Sequence, residues 1–112
     1  GEYPADCLVA SPPCLVFSKA NRLSTLADKE DAADSQVGQI RRVVELLAPR
    51  LVILEQTDGL RTHCPTAYEK FKNLWSGLPY RVYHSTVDAR DTCGGSHHRA
   101  RLIWVAILEG GL

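Results

Sequence analysis

Four side chains that can do chemistry stand beside apolar runs in this 112-residue sequence: Cys14, Glu55, Arg99 and Arg101. A cysteine thiolate is a nucleophile, and a carboxyl group can give or take a proton or hold a hydrogen bond. A guanidinium group binds an oxygen atom and offsets the negative charge that develops on it. Brought together, the four residues would activate a substrate by covalent addition. Elements of secondary structure must then place the ends of these runs side by side.

The segment Ser11-Pro12-Pro13 separates Cys14 from the apolar run before it. Two consecutive prolines fix φ and keep the backbone out of a ladder or a helix, so the thiol stands in a stiff loop. In open α/β sheets, reacting groups lie at the carboxyl ends of the strands. If the strands before Cys14 and Glu55 are parallel neighbours, both side chains share one edge of the sheet. A last strand that runs antiparallel would bring Arg99 and Arg101 to the same edge.

Apolar patterning predicts four strands and two helices. Short apolar runs predict the strands, and we expect the second strand to be covered on both faces. Ser35 is the expected N-cap of the first helix, and Pro65 suits the first position of the second. The predicted elements are a buried strand at 6–10, a helix at 36–48, a strand at 51–54, a helix from 65 to a stop at 77, and strands at 80–87 and 102–108. This order predicts an open α/β sheet that ends in an antiparallel strand pair.

The stretch 19–34 is polar, first basic and then acidic, and it has no apolar periodicity. We therefore expect a long functional or disordered loop there. The core is expected to take one face of the first helix and an aromatic stripe of the second, with Cys7 and Cys64 as further packing residues. The helical core positions are Val37, Ile40, Val43, Val44, Leu47, Tyr68, Phe71, Leu74 and Trp75.

Composition limits the classes of function. Thirteen basic and thirteen acidic residues cancel, so the net charge gives no electrostatic footprint for nucleic acid. No stretch approaches the length of an apolar membrane span, which argues against a membrane partner. Four cysteines without a C-x-x-C pair favour reduced thiols and an intracellular location. The spacing of Cys93, His97, His98 and the pair His63-Cys64 matches no structural zinc site, so we expect no metal.

Three motifs occur in the order found in the cytosine-C5 methyltransferases. Pro13-Cys14-x-x-Phe-Ser resembles the nucleophile loop of that family, Glu55-Gln56-Thr57 resembles its Glu-Asn-Val motif, and Arg99-Ala100-Arg101 resembles the end of its Gln-x-Arg-x-Arg motif. The Glu-Gln-Thr variant resembles the fungal RID-type branch, which is associated with silencing of repeated DNA. Leu15 and His97 stand where many relatives have Gln, and neither departure removes a reacting group.

The resemblance implies a role for each reacting residue. Cys14 would add to C6 of cytosine and so activate C5, which is otherwise too electron-poor to take up a methyl group. Glu55 would contact N3 of the ring. Arg101 would bind O2, with Arg99 as its supporting neighbour. Three further residues are implied to line the substrate site: Pro13, Ser18 and Gln56.

The resemblance also implies the fold and the ligands. The fold would be the second half of a Rossmann-like methyltransferase sheet that uses S-adenosylmethionine. The partner would be double-stranded DNA, from which the family flips the target cytosine because C6 is buried in the base stack. A DNA cytosine-C5 methyltransferase of this kind acts in the nucleus.

Residues 1–112 are expected to form only part of the catalytic domain. The Gly-rich Phe-x-Gly-x-Gly turn that holds the cofactor in the family is not found in the sequence, and neither is a target-recognition domain. We therefore expect the chain alone to transfer no methyl group. Marginal stability is also expected, because half a sheet leaves an open strand edge and an uncovered face.

Two alternative functions remain open at this point. The first is an RNA cytosine-C5 methyltransferase of the transfer-RNA type, in which the nucleophile loop usually continues Phe-Thr and Glu-Asn-Val is kept. Phe17-Ser18 and Glu55-Gln56-Thr57 favour DNA over that alternative. The second is a catalytically silent relative that binds or scaffolds an active partner; such relatives often lose the Cys or the Glu, and this sequence keeps both.

Overall fold

The computed structural model describes residues 6–12, 25–88 and 100–110, which form a mixed α/β structure with a four-stranded sheet. The α/β class and the closing antiparallel pair agree with the prediction. Among the described residues, no helix is long and apolar enough to cross a membrane. The elements are β1 (Cys7–Ala10), α1 (Leu26–Leu47), β2 (Leu51–Thr57), α2 (Gly59–His63), α3 (Pro65–Lys72), a 3₁₀ turn (Asn73–Trp75), β3 (Tyr80–Asp88) and β4 (Ala100–Leu108).

The strand order in the sheet is β1-β2-β4-β3. β1 and β2 are parallel, with Ala10 opposite Leu54. β4 runs antiparallel to both of its neighbours, β2 and β3. The two conditions that the predicted site requires are therefore met: β1 and β2 are parallel neighbours, and β4 starts at the edge where they end.

Helix α1 begins at Leu26, ten residues before the predicted start, so the expected loop over 19–34 is wrong for its second half. Thr25 is the N-cap: its hydroxyl accepts from the Asp28 N–H at 3.1 Å, and the Asp28 carboxylate accepts from the Thr25 N–H at 3.0 Å. This reciprocal capping box satisfies two donors at the helix start. In the acidic first half of α1 the buried residue is Ala33, a small side chain that gives no apolar periodicity in the sequence.

The described helices all pack against one face of the sheet. The buried residues of α1, α3 and the 3₁₀ turn form one cluster with those of β2 and β4. Val43 and Leu47 of α1, which were predicted to lie in the core, are exposed, because only the Ile40 and Val44 side of the helix meets this cluster. The cluster comprises Ala33, Ile40, Val44, Val52, Leu54, Leu60, Cys64, Ala67, Phe71, Leu74, Trp75, Leu102, Trp104 and Ala106.

Trp104 is the largest side chain of this covered face. Its indole stacks on Phe71 with ring centroids 6.1 Å apart and on His84 at 4.0 Å. The His84 Nδ1 lies 2.9 Å from the Ile103 carbonyl oxygen, which can only accept, so Nδ1 carries the proton. The Nε2 atom then accepts from the Tyr68 hydroxyl at 2.7 Å. These hydrogen bonds hold the imidazole flat over the indole at the β3 side of the core.

Arg41 joins α1 to the turn that follows α3. Its Nη1 donates to the carbonyl oxygens of Leu74 and Ser76 at 2.8 and 2.7 Å, and its Nε pairs with Glu45. Carbonyls at a helix end have no partner inside the helix, so a guanidinium group that binds two of them fixes the turn. The chain then passes through Gly77, whose φ of +78° favours glycine.

The second face of the sheet is not covered by any of the described elements. Val9 is 67% exposed and Tyr83 is 54% exposed on this open face. Ile53 between them is only half-buried, so the prediction that the 51–54 strand is covered on both faces is wrong for the described part of the chain. The predictions of a buried first strand and of Cys7 as a packing residue are also wrong: β1 is an edge strand among the described strands, and the Cys7 thiol is exposed on the open face.

Candidate active site

The carboxyl ends of β1 and β2 and the amino end of β4 meet at one edge of the sheet. β1 ends at Ala10, opposite Leu54, and the Ser11-Pro12 segment leaves the sheet there. β4 enters at the same edge, with Arg101 opposite Thr57. This edge is where ligands bind in open α/β sheets.

Glu55 lies inside β2, and not after its end as the sequence suggested, because β2 continues for three residues beyond the apolar run to Thr57. Alternation along the strand places Glu55 on the open face and Gln56 on the covered face. The polar residues stay in the strand because β4 pairs with β2 through Thr57. A strand residue holds its side chain more firmly than a loop residue does, which favours a positioned carboxyl group.

Glu55 and Arg101 form an ion pair on the open face. The Arg101 Nε lies 3.1 Å from the Glu55 Oε1, and the two side chains are 26% and 43% exposed. They are diagonal neighbours, since Glu55 stands opposite Ile103, two residues along β4 from Arg101. The pair therefore presents a carboxyl group and a guanidinium group side by side. A planar ring with one nitrogen and one carbonyl oxygen in adjacent positions matches such a pair of partners.

Gln56 is 2% exposed and points to the helices, away from Glu55. Its Oε1 accepts from the Thr57 N–H at 2.9 Å, and its Nε2 donates to the Gln36 Oε1 of α1 at 3.3 Å. The predicted contact between Gln56 and the substrate stays a prediction, and within the described residues its amide serves the backbone and the helix. No sequence signal pointed to Gln36, because its contact with Gln56 joins residues 20 positions apart and depends on how α1 packs on β2.

Four of the predicted site residues lie outside the described part of the chain: Pro13, Cys14, Ser18 and Arg99. The structure brings together Glu55 and Arg101, and it describes the chain up to Pro12, two residues before the predicted nucleophile. The predicted role of Cys14 therefore stays a prediction.

Two other cysteines are described, and neither lies at this edge. Cys64 is buried between α2 and α3, and burial raises the pKa of its thiol, which disfavours the reactive thiolate. Cys7 is exposed, but it stands opposite Leu51 at the far end of β1. Neither thiol is placed to serve as the nucleophile beside Glu55.

The described residues offer no second candidate site near Glu55. A concave region of about 370 Å³ lies at the opposite edge of the sheet, between Arg81, Ile107 and Glu109, and it shares no residue with the site. Within residues 6–12, 25–88 and 100–110, no group of three or more potential metal ligands comes together.

The family model for C-5 cytosine-specific DNA methylases matches residues 1–111. The chain belongs to this family. In this family member, the Glu55–Arg101 pair lies at the sheet edge where the predicted strand ends and directions placed the two residues. No curated protein matches the sequence.

Solved methyltransferase structures share the fold of this C-5 cytosine methylase chain. A protein described as a DNA modification methyltransferase encoded within an E. coli prophage aligns with a TM-score of 0.62 at 22% identity, over 97% of this chain and 28% of its own. The Entamoeba histolytica methyltransferase EhMeth aligns at 0.61 and 15% identity, over 92% and 32%. The S. pombe Dnmt2 methyltransferase aligns at 0.60 and 16% identity, over 92% and 29%. The chain therefore spans about a third of these proteins or less.

Proposed function

We propose that this chain forms the base-activating part of a DNA methyltransferase that methylates C5 of cytosine. The observation that supports the proposal is the Glu55–Arg101 ion pair at the edge where β1 and β2 end. Because the chain spans about a third or less of its structural relatives, the activity is proposed for the longer polypeptide that contains it, called the complete protein below.

In the proposed reaction, the Cys14 thiolate adds to C6 of the cytosine and forms a carbon–sulfur bond. The electron pair of the C5–C6 double bond moves toward C5. C5 would then bond to the methyl group of S-adenosylmethionine, whose bond to the sulfonium sulfur would break and leave the thioether. A base then removes the proton from C5, the double bond forms again, and the thiolate leaves C6. The enzyme returns to its starting state with one methyl group added to the ring.

Glu55 and Arg101 serve the first of these steps. Addition at C6 pushes negative charge toward N3 and O2, and hydrogen-bond donors at those two atoms stabilise it. A carboxyl group at N3 gives or shares a proton, and a guanidinium group at O2 supplies fixed positive charge. The two side chains already lie 3.1 Å apart, so a flipped ring meets both without rearrangement of the strands.

The described residues do not form a site for the methyl donor. At the edge that holds Glu55 and Arg101, the described turns are Ser11-Pro12 after β1 and Asp58-Gly59 after β2, and neither is glycine-rich. Such turns are what allow a backbone to approach a nucleotide-like cofactor closely. In the proposal, the rest of the complete protein holds S-adenosylmethionine.

Duplex DNA is the proposed substrate, and the nucleus is the proposed location. Phe17-Ser18 and Glu55-Gln56-Thr57 differ from the corresponding segments of the transfer-RNA type and support DNA. The Glu-Gln-Thr segment also supports the RID-type branch. Because the positive and negative charges of the chain cancel, we expect other parts of the complete protein to make most of the phosphate contacts.

A trapping experiment tests the proposal. A cytosine fluorinated at C5 has no proton there to lose, so the covalent adduct cannot eliminate after methyl transfer. The complete protein with S-adenosylmethionine and a duplex that carries this analogue should give a complex that survives denaturation. Peptide mapping should place the DNA on Cys14, and Cys14→Ser should abolish trapping because a neutral hydroxyl is a much poorer nucleophile.

The matched control is Cys7→Ser, which changes an exposed thiol at the far end of β1 and should trap like the wild type. An adduct on another cysteine contradicts the mechanism. Trapping by a fluorinated transfer RNA and not by the duplex contradicts the assignment to DNA. The absence of any adduct, with no methyl transfer to either nucleic acid, supports a silent scaffold instead.

A further inference from the structure

We propose that Gln36 and Gln56 form a positioning pair that fixes the end of β2 and thereby the alignment of Glu55 with Arg101. The inference rests on the proposed function, because it assigns these two amides a part in the same reaction. Within the described residues both amides lie on the covered side of the sheet, away from Glu55: Gln56 is buried there, and Gln36 lies on α1. They would act through the backbone of β2.

The argument starts from the backbone amide of Thr57. Along β2, alternate residues direct their N–H groups to the same neighbour, and the Leu51 N–H donates toward β1, to the Asp6 carbonyl at 3.1 Å. Thr57 is six residues further on, so its N–H also faces the β1 side. β1 has ended at Ala10, opposite Leu54, and offers no ladder partner there.

Gln56 supplies the acceptor that β1 no longer provides. Its Oε1 lies 2.9 Å from the Thr57 nitrogen, which satisfies a part-buried donor that has no ladder partner in β1. Only one orientation of the amide does this, because the other orientation presents two N–H groups to the Thr57 N–H. The direction of the Gln56 amide therefore decides whether the end of β2 is stable.

Gln36 sets that direction. The Gln36 Oε1 accepts from the Gln56 Nε2 at 3.3 Å. This hydrogen bond stabilises the orientation in which the Gln56 Oε1 faces Thr57. The consequence reaches the open face through the register, since Thr57 stands opposite Arg101. A frayed Thr57 would loosen the start of β4 and the ion pair that Arg101 makes with Glu55. A small misplacement of groups that meet the substrate slows catalysis steeply.

Two substitutions of one residue test the pair in the complete protein. Gln36→Glu keeps an acceptor for the Gln56 Nε2, and its single-turnover methylation rate should stay within about twofold of the wild type. Gln36→Lys offers only donors, so it should turn the Gln56 amide and lower the rate roughly tenfold, with duplex affinity unchanged. Gln39→Lys is the matched control on the exposed side of α1 and should behave like the wild type.

Hydrogen exchange of the Thr57 amide, followed in the same variants, separates this inference from the proposed function. The amide should exchange faster in Gln36→Lys than in the wild type, Gln36→Glu or Gln39→Lys. Unchanged exchange in Gln36→Lys, or equal losses of rate in the Lys and Glu variants, overturns the positioning pair. Faster exchange with an unchanged methylation rate overturns the link to Glu55 and Arg101. If the wild type transfers no methyl group, the proposed function fails, and the exchange data alone decide whether the pair exists.

Discussion

The two faces of the sheet are made by the same strands but have different chemistry. On the covered face, Leu54 and Trp104 are fully enclosed by the helices. On the open face, the neighbouring positions Glu55 and Arg101 remain partly exposed and pair with each other. Because side chains alternate along a strand, one residue step separates a group that stabilises the fold from a group that can meet a substrate. Stability and chemistry can therefore be changed separately.

The largest expected effect is on the chemistry of the open face. In the complete protein, Glu55→Gln should slow the single-turnover methylation step roughly ten- to ten-thousand-fold, because a positioned proton donor is lost. Duplex affinity and the unfolding midpoint should change little. Rapid-quench measurement of methyl transfer checks the rate. An intact rate would show that the carboxyl group is not the contact to N3.

A large loss of stability is expected on the covered face. In the 112-residue chain, Trp104→Ala should lower the free energy of unfolding by about 3–5 kcal/mol, since it empties the space between Phe71 and His84. Tyr83→Ala changes the open-face residue next to His84 in β3, and it should lower the free energy of unfolding by less than about 1 kcal/mol. Urea unfolding followed by far-UV circular dichroism gives both values. Equal losses would mean that the open face is covered after all.

A smaller effect is expected from the arginines at the site edge. Arg101→Ala should weaken capture of the flipped base roughly tenfold or more, because a charged hydrogen bond is lost. Arg99→Ala should weaken it less, since Arg99 precedes β4 in the sequence whereas Arg101 is paired within that strand. A fluorescent base analogue at the target position reports capture. Arg81→Ala, opposite Ile107 at the far end of the open face, is the control, and a larger loss at Arg99 would reverse the assigned roles.

The smallest effect concerns the helix that covers the sheet. The Thr25 N–H donates to the Asp28 carboxylate and lowers its pKa below the ordinary value of an aspartate. This stabilisation is present above the unfolded-state pKa and is lost as the pH falls through the lower folded-state pKa. Acid unfolding of the chain should thus depend less on pH in Asp28→Asn than in the wild type. Identical acid profiles would exclude a contribution from the capping box.

The strands and the site edge could be predicted because they depend on local patterns. Continuous apolar runs identified β2 and β4, and the positions of Glu55 and Arg101 beside them identified the shared edge. The start of α1 was missed, although Thr25 and Asp28 have the spacing of a capping box. Ser35 was predicted as the N-cap because the apolar periodicity begins just after it. The first half of α1 is acidic and lined by alanine, so it does not show this periodicity.

Coverage of the sheet could not be predicted from the same runs. A four-residue apolar run has the same sequence pattern whether one face or both faces of the strand are packed. The pattern therefore did not show that Val52 is buried and that Ile53 is only half-buried. The Gln36–Gln56 contact was also hidden, because it depends on the rotation of α1 against β2. Local sequence encodes which face of a strand is apolar, and tertiary packing decides what meets it.

The pairing of β1 has a consequence for the order of folding. β3 and β4 join residues 12 to 28 positions apart, whereas β1 and β2 join residues 44 positions apart and β2 and β4 join residues 44 to 56 positions apart. Closing either long loop costs chain entropy, and β1 offsets that cost with four paired residues, whereas β2 and β4 share seven. β1 should therefore dock last and open first. Cys14 follows β1 by four residues in the sequence, so in the proposed mechanism its reactivity should depend more on the local opening of β1 than on the stability of the core.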